Sequence, residues 1–202
     1  MFFILGGIML EKISIVLEKY INLFLNEPEK QLFDEYCTYI DFPKNTIILF
    51  QGDSPTDLYF IISGLVRGYS IDEKGNDVTK SFAAENDFFS TKGLLTNSPS
   101  LFNVECLEDC KCIKIPYRVL FKIMENNADI FKMFNHHLIT ALEMLEIKTR
   151  DLIMKNAEER YKIFLDQYST LEQRINQKYI ASYIGIRTGS LSRIRKQIKA
   201  KN

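Results

Sequence analysis

The residues best suited to recognition chemistry crowd into the last thirty positions. From Gln173 to Asn202 there is no Asp or Glu, while Arg174, Lys178, Arg187, Arg193, Arg195, Lys196, Lys199 and Lys201 supply eight bases. That leaves 18 of the 26 bases elsewhere, against all 26 acids. A formal net charge of zero thus conceals an acidic body of about −8 and a basic end of about +8. Such an end suits a polyanion, and the acidic body opposes adhesion elsewhere. Arg193 carries the guanidinium fork that matches the two acceptors of guanine. Arg187, Thr188 and Ser190 suit bases or phosphates, with Ser192 and Lys196 on the same outward surface. Gln177 and Lys178 open a helix, where backbone N–H groups and a cation favour a phosphate. Arg195, Lys196 and Lys199 are expected to add sequence-independent attraction.

No catalytic constellation assembles from the remaining groups. His136 and His137 are neighbours in a helical stretch and point about 100° apart, so neither a Ser/His/Asp nor a Cys/His arrangement can be built. A cupin-like enzyme needs His and carboxylate ligands clustered on strands. We therefore expect no catalytic residues, no metal and no cofactor. Cys106, Cys110 and Cys112 superficially have metal spacing, but in a strand context they read as core thiols, as does Cys37. Glu158 and Glu159 read as a solvated helix face. The apolar run Met1–Leu10 ends at Glu11 and Lys12; it is too short to span a membrane and lacks the basic start and small-residue cleavage site of a signal peptide. Met9 offers an alternative start, so the residues before it are expected to be non-native or poorly ordered. A cytoplasmic protein with free thiols follows.

The elements that must position the basic end change in type along the chain. Residues 11–40 read as helix, with Ile13, Val16, Leu17, Tyr20, Ile21 and Phe24 at three-and-four spacing and Pro28 starting a second helix. Between Phe42 and Pro116, short apolar runs (46–50, 58–62, 65–71, 78–82, 102–107 and 111–115) alternate with turn clusters such as Gln51-Gly52-Asp53-Ser54-Pro55. That pattern predicts an antiparallel barrel or sandwich. A short helix over 117–125 breaks near Asn126-Asn127, and a long one runs from Ala128 to about Lys155. In it Phe131, Phe134, Leu138, Ala141, Leu145 and Leu152 follow a heptad seam, interrupted by Lys148. Ile130, Met133, Ile139, Leu142 and Met144 widen its apolar surface, so it is expected both to cover the barrel and to form a homodimer. Asn156–Tyr168 reads as a further helix. Finally, Ala181 and Gly185, within a core of Ile180, Ile184, Ile186, Leu191 and Ile194, fit two helices crossing through a tight turn, with Asn176 capping the first and Thr188 opening the second. In a helix-turn-helix the second helix enters the DNA major groove.

Three stretches carry a resemblance over most of the chain, from about Glu11 to Lys199: Phe50-Gln51-Gly52-Asp53, the run Leu58–Tyr69, and Gln177–Lys196. With the order barrel, long helix, helix-turn-helix, the sequence resembles the Crp/Fnr family of bacterial transcription factors, and its short Bacteroidetes-type members in particular. The resemblance implies an α+β protein. It would have a cyclic-nucleotide-binding-like β jelly roll with flanking helices as sensor domain (11–127), a long dimerisation helix (128–155) and a helix-turn-helix domain (156–202). It implies double-stranded DNA, a second copy of the chain and RNA polymerase as partners, and no membrane.

Departures from the family pattern shape the expected mechanism. Members that bind cyclic nucleotides carry a Gly-Glu pair for the ribose and an Arg-Ser or Arg-Thr pair for the phosphate. Here Ser90 stands near the Glu position, and Ser100-Leu101 stand where the Arg pair would be. A buried cyclic phosphate without its Arg is an unpaired charge, so cyclic AMP is not expected. An unknown small-molecule effector near Phe88, Ser90, Ser100 and Leu101 is the expectation instead. Iron–sulfur sensing lacks its N-terminal cysteine cluster. A β-hairpin wing is not expected after the recognition helix, and affinity is expected to rest on the helices and basic tail. The competing reading is a ligand-binding or protein-interaction module whose helix-turn-helix no longer binds specific DNA.

Overall fold

A computed structural model describes residues 3–5, 8–21 and 24–201 of the chain. Residues 1, 2, 6 and 7, within the stretch expected to lack order, lie outside the described residues. Their neighbours β1 (Phe3–Leu5) and β2 (Ile8–Leu10) pair antiparallel, with Phe3 opposite Leu10. The chain divides into two compact units, one of Met1–Gly68 with Phe82–Asn135, the other of Tyr69–Ser81 with His136–Asn202.

The first unit begins with α1 (Ile13–Ile21) and α2 (Glu27–Tyr36). The second helix expected from Pro28 is present as α2, and the helical reading of 11–40 is corrected only beyond Tyr36. Asn26 caps α2, its side chain accepting from the Glu29 N–H while Glu29 reaches back to the Asn26 N–H at 2.9 Å. At Cys37 the backbone turns extended, and β3 (Thr38–Phe42) joins a sheet. Thr38, Tyr39 and Ile40 are β-branched or aromatic, and their pairing with a central strand overrides the helical period.

Eight strands form the barrel. Besides β3 they are β4 (Ile47–Leu49), β5 (Asp57–Ser63), β6 (Val66–Ile71), β7 (Asp77–Ala83), β8 (Phe88–Phe89), β9 (Asn103–Cys106) and β10 (Cys110–Pro116). Two four-stranded sheets result, ordered β3-β10-β5-β8 and β4-β9-β6-β7. The pairs β3–β10, β10–β5, β5–β8 and β4–β9 are antiparallel. Six of these strands match the apolar runs; β3 and the two-residue β8 escaped them. The central strands β5 and β10 are apolar on both faces, because two cores need them. Leu58, Phe60, Ile113 and Ile115 pack under α1, α2 and α4 (Tyr117–Met124). Residues of opposite parity, Tyr59, Ile61, Cys110 and Cys112, face the barrel interior with Val66, Val104 and Cys106. Arg67 is buried to 1% exposure in β6, and its guanidinium Nε donates to Glu105 in β9 at 2.7 Å. All four cysteines are free and buried.

Asn127 separates α4 from α5 (Ala128–Met154), its side-chain oxygen accepting from the N–H groups of Asp129 and Ile130. In the second unit, α6 (Ala157–Gln167) is capped by an Asn156–Glu159 capping box. Then come α7 (Gln177–Tyr183) and α8 (Thr188–Lys201). Its helical part buries Tyr161, Phe164, Tyr168, Leu171, Ile175, Ile180, Ala181, Ile184, Leu191 and Ile194. The fold is thus α+β: antiparallel sheets with flanking helices, followed by a helical end. Among the described residues no helix is long and apolar enough to cross a membrane.

Candidate nucleic-acid interface and barrel cavity

The turn between α7 and α8 is fixed by its backbone. The Asn176 side chain accepts from the Lys178 N–H at 3.0 Å and caps α7. At the other end the Ile186 N–H reaches the Ala181 carbonyl at 2.9 Å and the Gly185 N–H reaches Ser182 at 3.2 Å, with Gly185 at φ +71°. That is a Schellman ending, which glycine adopts without a Cβ penalty. Ala181 is buried at the crossing. Arg160 of α6 braces the turn, its Nε donating to the Ile184 carbonyl at 2.8 Å.

This core leaves one face of the helix pair open. Gln177, Lys178, Arg187, Thr188, Gly189, Arg193 and Lys196 are exposed, and Ser190 and Ser192 are half-buried beside them. The structure thus brings the expected recognition residues onto α7, the turn and α8. The Lys178 ammonium sits 4.6 Å from the centroid of the Tyr179 ring, and Arg193 Nε lies 3.4 Å from the Gly189 carbonyl on its own helix. Arg195 is placed differently from the expectation of a loose electrostatic contributor: it is ion-paired with Glu172, the last acid in the chain, which also accepts from the Tyr161 hydroxyl at 3.0 Å.

Along α5 the seam residues divide. Phe131, Leu138, Leu145 and Leu152 recur every seven positions with exposures of 50, 38, 60 and 42%. Ala141, Ile139 and Leu142 are exposed with them. Phe134 instead packs toward Tyr117, ring centroids 6.2 Å apart, and Ile130 is fully buried. Lys148, read as an interruption of the seam, is turned out of it. Its Nζ donates to the carbonyls of Thr79 (3.2 Å) and Lys80 (2.8 Å) and lies 3.8 Å from the Tyr183 ring centroid. Burial, helped by the charge of Lys80, pulls its pKa down to about 8.

A cavity of about 400 Å³ opens in the barrel, lined by Ile48, Leu49, the Asp53–Asp57 segment, Tyr59, Phe89, Ser90 and Val104. Of the four residues expected around an effector, Ser90 lines it, its hydroxyl donating to the Asp57 carbonyl at 3.0 Å. Phe88 lies against Phe60 on the opposite face of its short strand, ring centroids 5.0 Å apart. Ser100 is buried and donates to the Phe102 carbonyl at 2.6 Å, while Leu101 is exposed. The cavity lining that sequence reasoning missed is Asp53, Asp57, Tyr59 and Phe89; the first two sit in and after a turn cluster read only as punctuation. Tyr59 and Phe89 stack at 5.0 Å and 11°. Burial, with Asp57 nearby, pushes the Tyr59 phenol up to about 12. The described lining contains no Lys or Arg. Asp57 is held from behind by Lys114 at 3.2 Å. Burial likewise pushes the Cys37 and Cys112 thiols up to about 12. Among the described residues no group of three or more His, Cys, Asp and Glu is placed to hold a metal ion.

The order of barrel, long helix and helix-turn-helix is shared with known transcriptional regulators. Residues 39–127 match the cyclic nucleotide-binding domain family. The cAMP-activated global transcriptional regulator CRP of Salmonella typhimurium is 20% identical over 187 residues, covering 87% of this chain and 89% of that protein. The fumarate and nitrate reduction regulatory protein of Vibrio cholerae is 26% identical over 158 residues, covering 71% and 61%. Among solved structures, FixK2 from Bradyrhizobium japonicum superimposes with a TM-score of 0.75 at 19% identity, covering 82% of this chain and 85% of that one. These likenesses support a transcriptional regulator of the Crp/Fnr type.

Proposed function

We propose that this protein is a homodimeric, sequence-specific DNA-binding transcription regulator of the cytoplasm whose barrel takes an effector other than cyclic AMP. The observation that carries the reading is the open face of α7 and α8. Arg187, Thr188, Gly189 and Arg193 are exposed on a rigidly capped helix pair, in a segment with no acid after Glu172. In this reading residues 11–127 are the sensor, 128–155 the dimerisation helix and 156–202 the DNA-binding domain. Arg193 reads a base, with Arg187, Thr188, Ser190 and Ser192 beside it, while Gln177, Lys178 and Lys196 hold phosphates. RNA polymerase is the protein partner that transcription control requires.

The heptad-spaced exposed residues of α5 support pairing with a second copy, since a stripe of this kind is costly to leave in water. A two-fold dimer would set two recognition helices about one DNA turn apart. The cavity lining argues against cyclic AMP. A buried phosphate facing Asp53 and Asp57, with no cation in the described lining, lacks the pairing that a desolvated charge needs. Effector binding there shifts DNA affinity only by its differential affinity for two conformations.

Selection from random duplexes on the purified chain, followed by salt titration of the enriched sequence with wild type and Arg193→Ala, tests the reading. An enriched palindrome, a steep salt dependence and relaxed preference in the variant are expected. Weak binding indifferent to sequence, with no effect of Arg193→Ala, refutes it in favour of an interaction module.

A further inference from the structure

In the sheet ordered β4-β9-β6-β7, β7 is an edge strand. An edge strand leaves a row of backbone N–H and C=O groups without a neighbouring strand. Along β7 the two-residue period sets the Asp77 carbonyl, the Thr79 N–H and the Thr79 carbonyl on one side. Side chains from the helical part of the same unit fill this row. Ser182 of α7 donates its hydroxyl to the Asp77 carbonyl at 3.1 Å and accepts from the Thr79 N–H at 2.9 Å. Those are the two bonds that a residue on a neighbouring strand would exchange. Lys148 of α5 donates to the Thr79 and Lys80 carbonyls and places its ammonium over Tyr183, the residue after Ser182. Thr79 is buried to 1% exposure by this arrangement. Tyr183 in turn meets Phe164 and Tyr168 edge-on, both at 5.7 Å. The first helix of the pair is thereby gripped at two successive residues, while Arg187, Thr188, Gly189 and Arg193 stay exposed.

We propose that residues 69–81 form a third member of the DNA-binding module, and that Lys148 and Ser182 are positioning residues which fix α7, and with it α8, for sequence-specific recognition. The proposal rests on the reading of α7 and α8 as the DNA interface. Base readout requires a recognition helix held in one orientation, since its hydrogen bonds are short and directional. Attraction to phosphates depends on charge and tolerates a looser helix. Loss of the grip therefore falls on specific binding and spares non-specific binding.

The test uses full-length wild type, Lys148→Met, Lys148→Arg and Ser182→Ala. The probes are a duplex enriched by selection on the wild type and a random-sequence duplex of equal length. Amide hydrogen exchange is followed at Thr79 and across Gln177–Tyr183. We expect faster exchange in Lys148→Met and Ser182→Ala, with affinity for the enriched duplex weakened about fivefold to tenfold, the size of one or two lost hydrogen bonds. Affinity for the random duplex stays within about twofold, because no phosphate-binding cation of α7 or α8 is removed. Lys148→Arg keeps a cation over the ring and N–H donors for the carbonyls, and is expected to stay near wild type. Unchanged exchange, or an equal loss on both duplexes, overturns the proposal. A wild type that enriches no duplex overturns the DNA reading and the positioning role with it. That failure is told apart because exchange at Thr79 still shows whether the grip exists.

Discussion

Two glycines four residues apart should respond to the same substitution with opposite signs. Gly185 ends α7 at φ +71°, and a Cβ built there would stand 2.9 Å from Leu152 Cδ2. Alanine in that left-handed conformation costs about 1–2 kcal/mol, of which roughly 0.4–1 kcal/mol is returned by the stiffer unfolded chain. The Leu152 contact is with the end of a flexible side chain, which can shift. The net expectation for Gly185→Ala is a loss of about 1 kcal/mol, or a fall of about 2–4 °C in Tm for a chain of this size. Gly189 lies in the first turn of α8, without positive φ and with nothing within 4 Å of an added Cβ. There alanine removes glycine's helix penalty and is expected to gain up to about 1 kcal/mol. Thermal and urea unfolding of the two variants beside wild type decide the matter. Gly185→Asn, a residue more tolerant of left-handed backbone, should fall between wild type and Gly185→Ala. A Gly185→Ala protein as stable as wild type, or a Gly189→Ala protein less stable than it, would refute the account of the turn.

Other consequences are open to equally direct measurement. Leu145→Glu places a charge in the middle of the exposed α5 stripe and should shift sedimentation equilibrium toward monomer; a variant dimerising like wild type would remove α5 as the interface. Lys148 is protonated in both folded and unfolded chains below about pH 8, while between about 8 and 10.5 the unfolded chain alone binds that proton. Its contribution to stability therefore rises with pH across that window, by up to roughly 3 kcal/mol. The pH dependence of urea unfolding should be steeper in wild type than in Lys148→Met, and identical slopes would contradict it. Glu105→Ala removes the carboxylate that accepts from the buried Arg67 Nε and should cost about 1.5–3 kcal/mol, seen as a lowered urea midpoint; an unchanged midpoint would mean the pair is effectively solvated.

The helix-turn-helix was legible because its requirements are local. Asn176, Ala181 and Gly185 each satisfy a backbone condition within one turn of chain, and the absence of acids after Glu172 is visible in the sequence itself. Most of the barrel was legible for a similar reason: apolar runs separated by turn clusters mark strands whatever their partners. What failed was set by pairing at a distance. β3 looked like the tail of a helix because Tyr36, Cys37 and Ile40 continue a plausible helical spacing, and only β10 makes it a strand. Phe88 and Phe89 are adjacent and equally apolar, so the sequence gives no hint that one lines the cavity and the other packs on Phe60. Lys148 looked like a flaw in a heptad, since its carbonyl partners on Thr79 and Lys80 lie some seventy residues earlier. Asp53 and Asp57 were hidden within and beside a turn motif, where acids are common for reasons unrelated to ligands.

The placement of the cysteines makes the molecule its own reporter of opening. All four thiols are buried, and all four belong to the unit that holds most of the barrel strands; the unit that carries α6, α7 and α8 together with residues 69–81 has none. A thiol reagent added in a short pulse marks only molecules whose barrel has come apart, because burial shields the thiols in the closed state. Labelling against denaturant thus yields the opening free energy of the thiol-bearing unit in the intact chain. A single cysteine introduced on the silent unit, in a second sample, would give the matching curve. The separation between the two curves then measures how strongly the halves of the protein depend on each other.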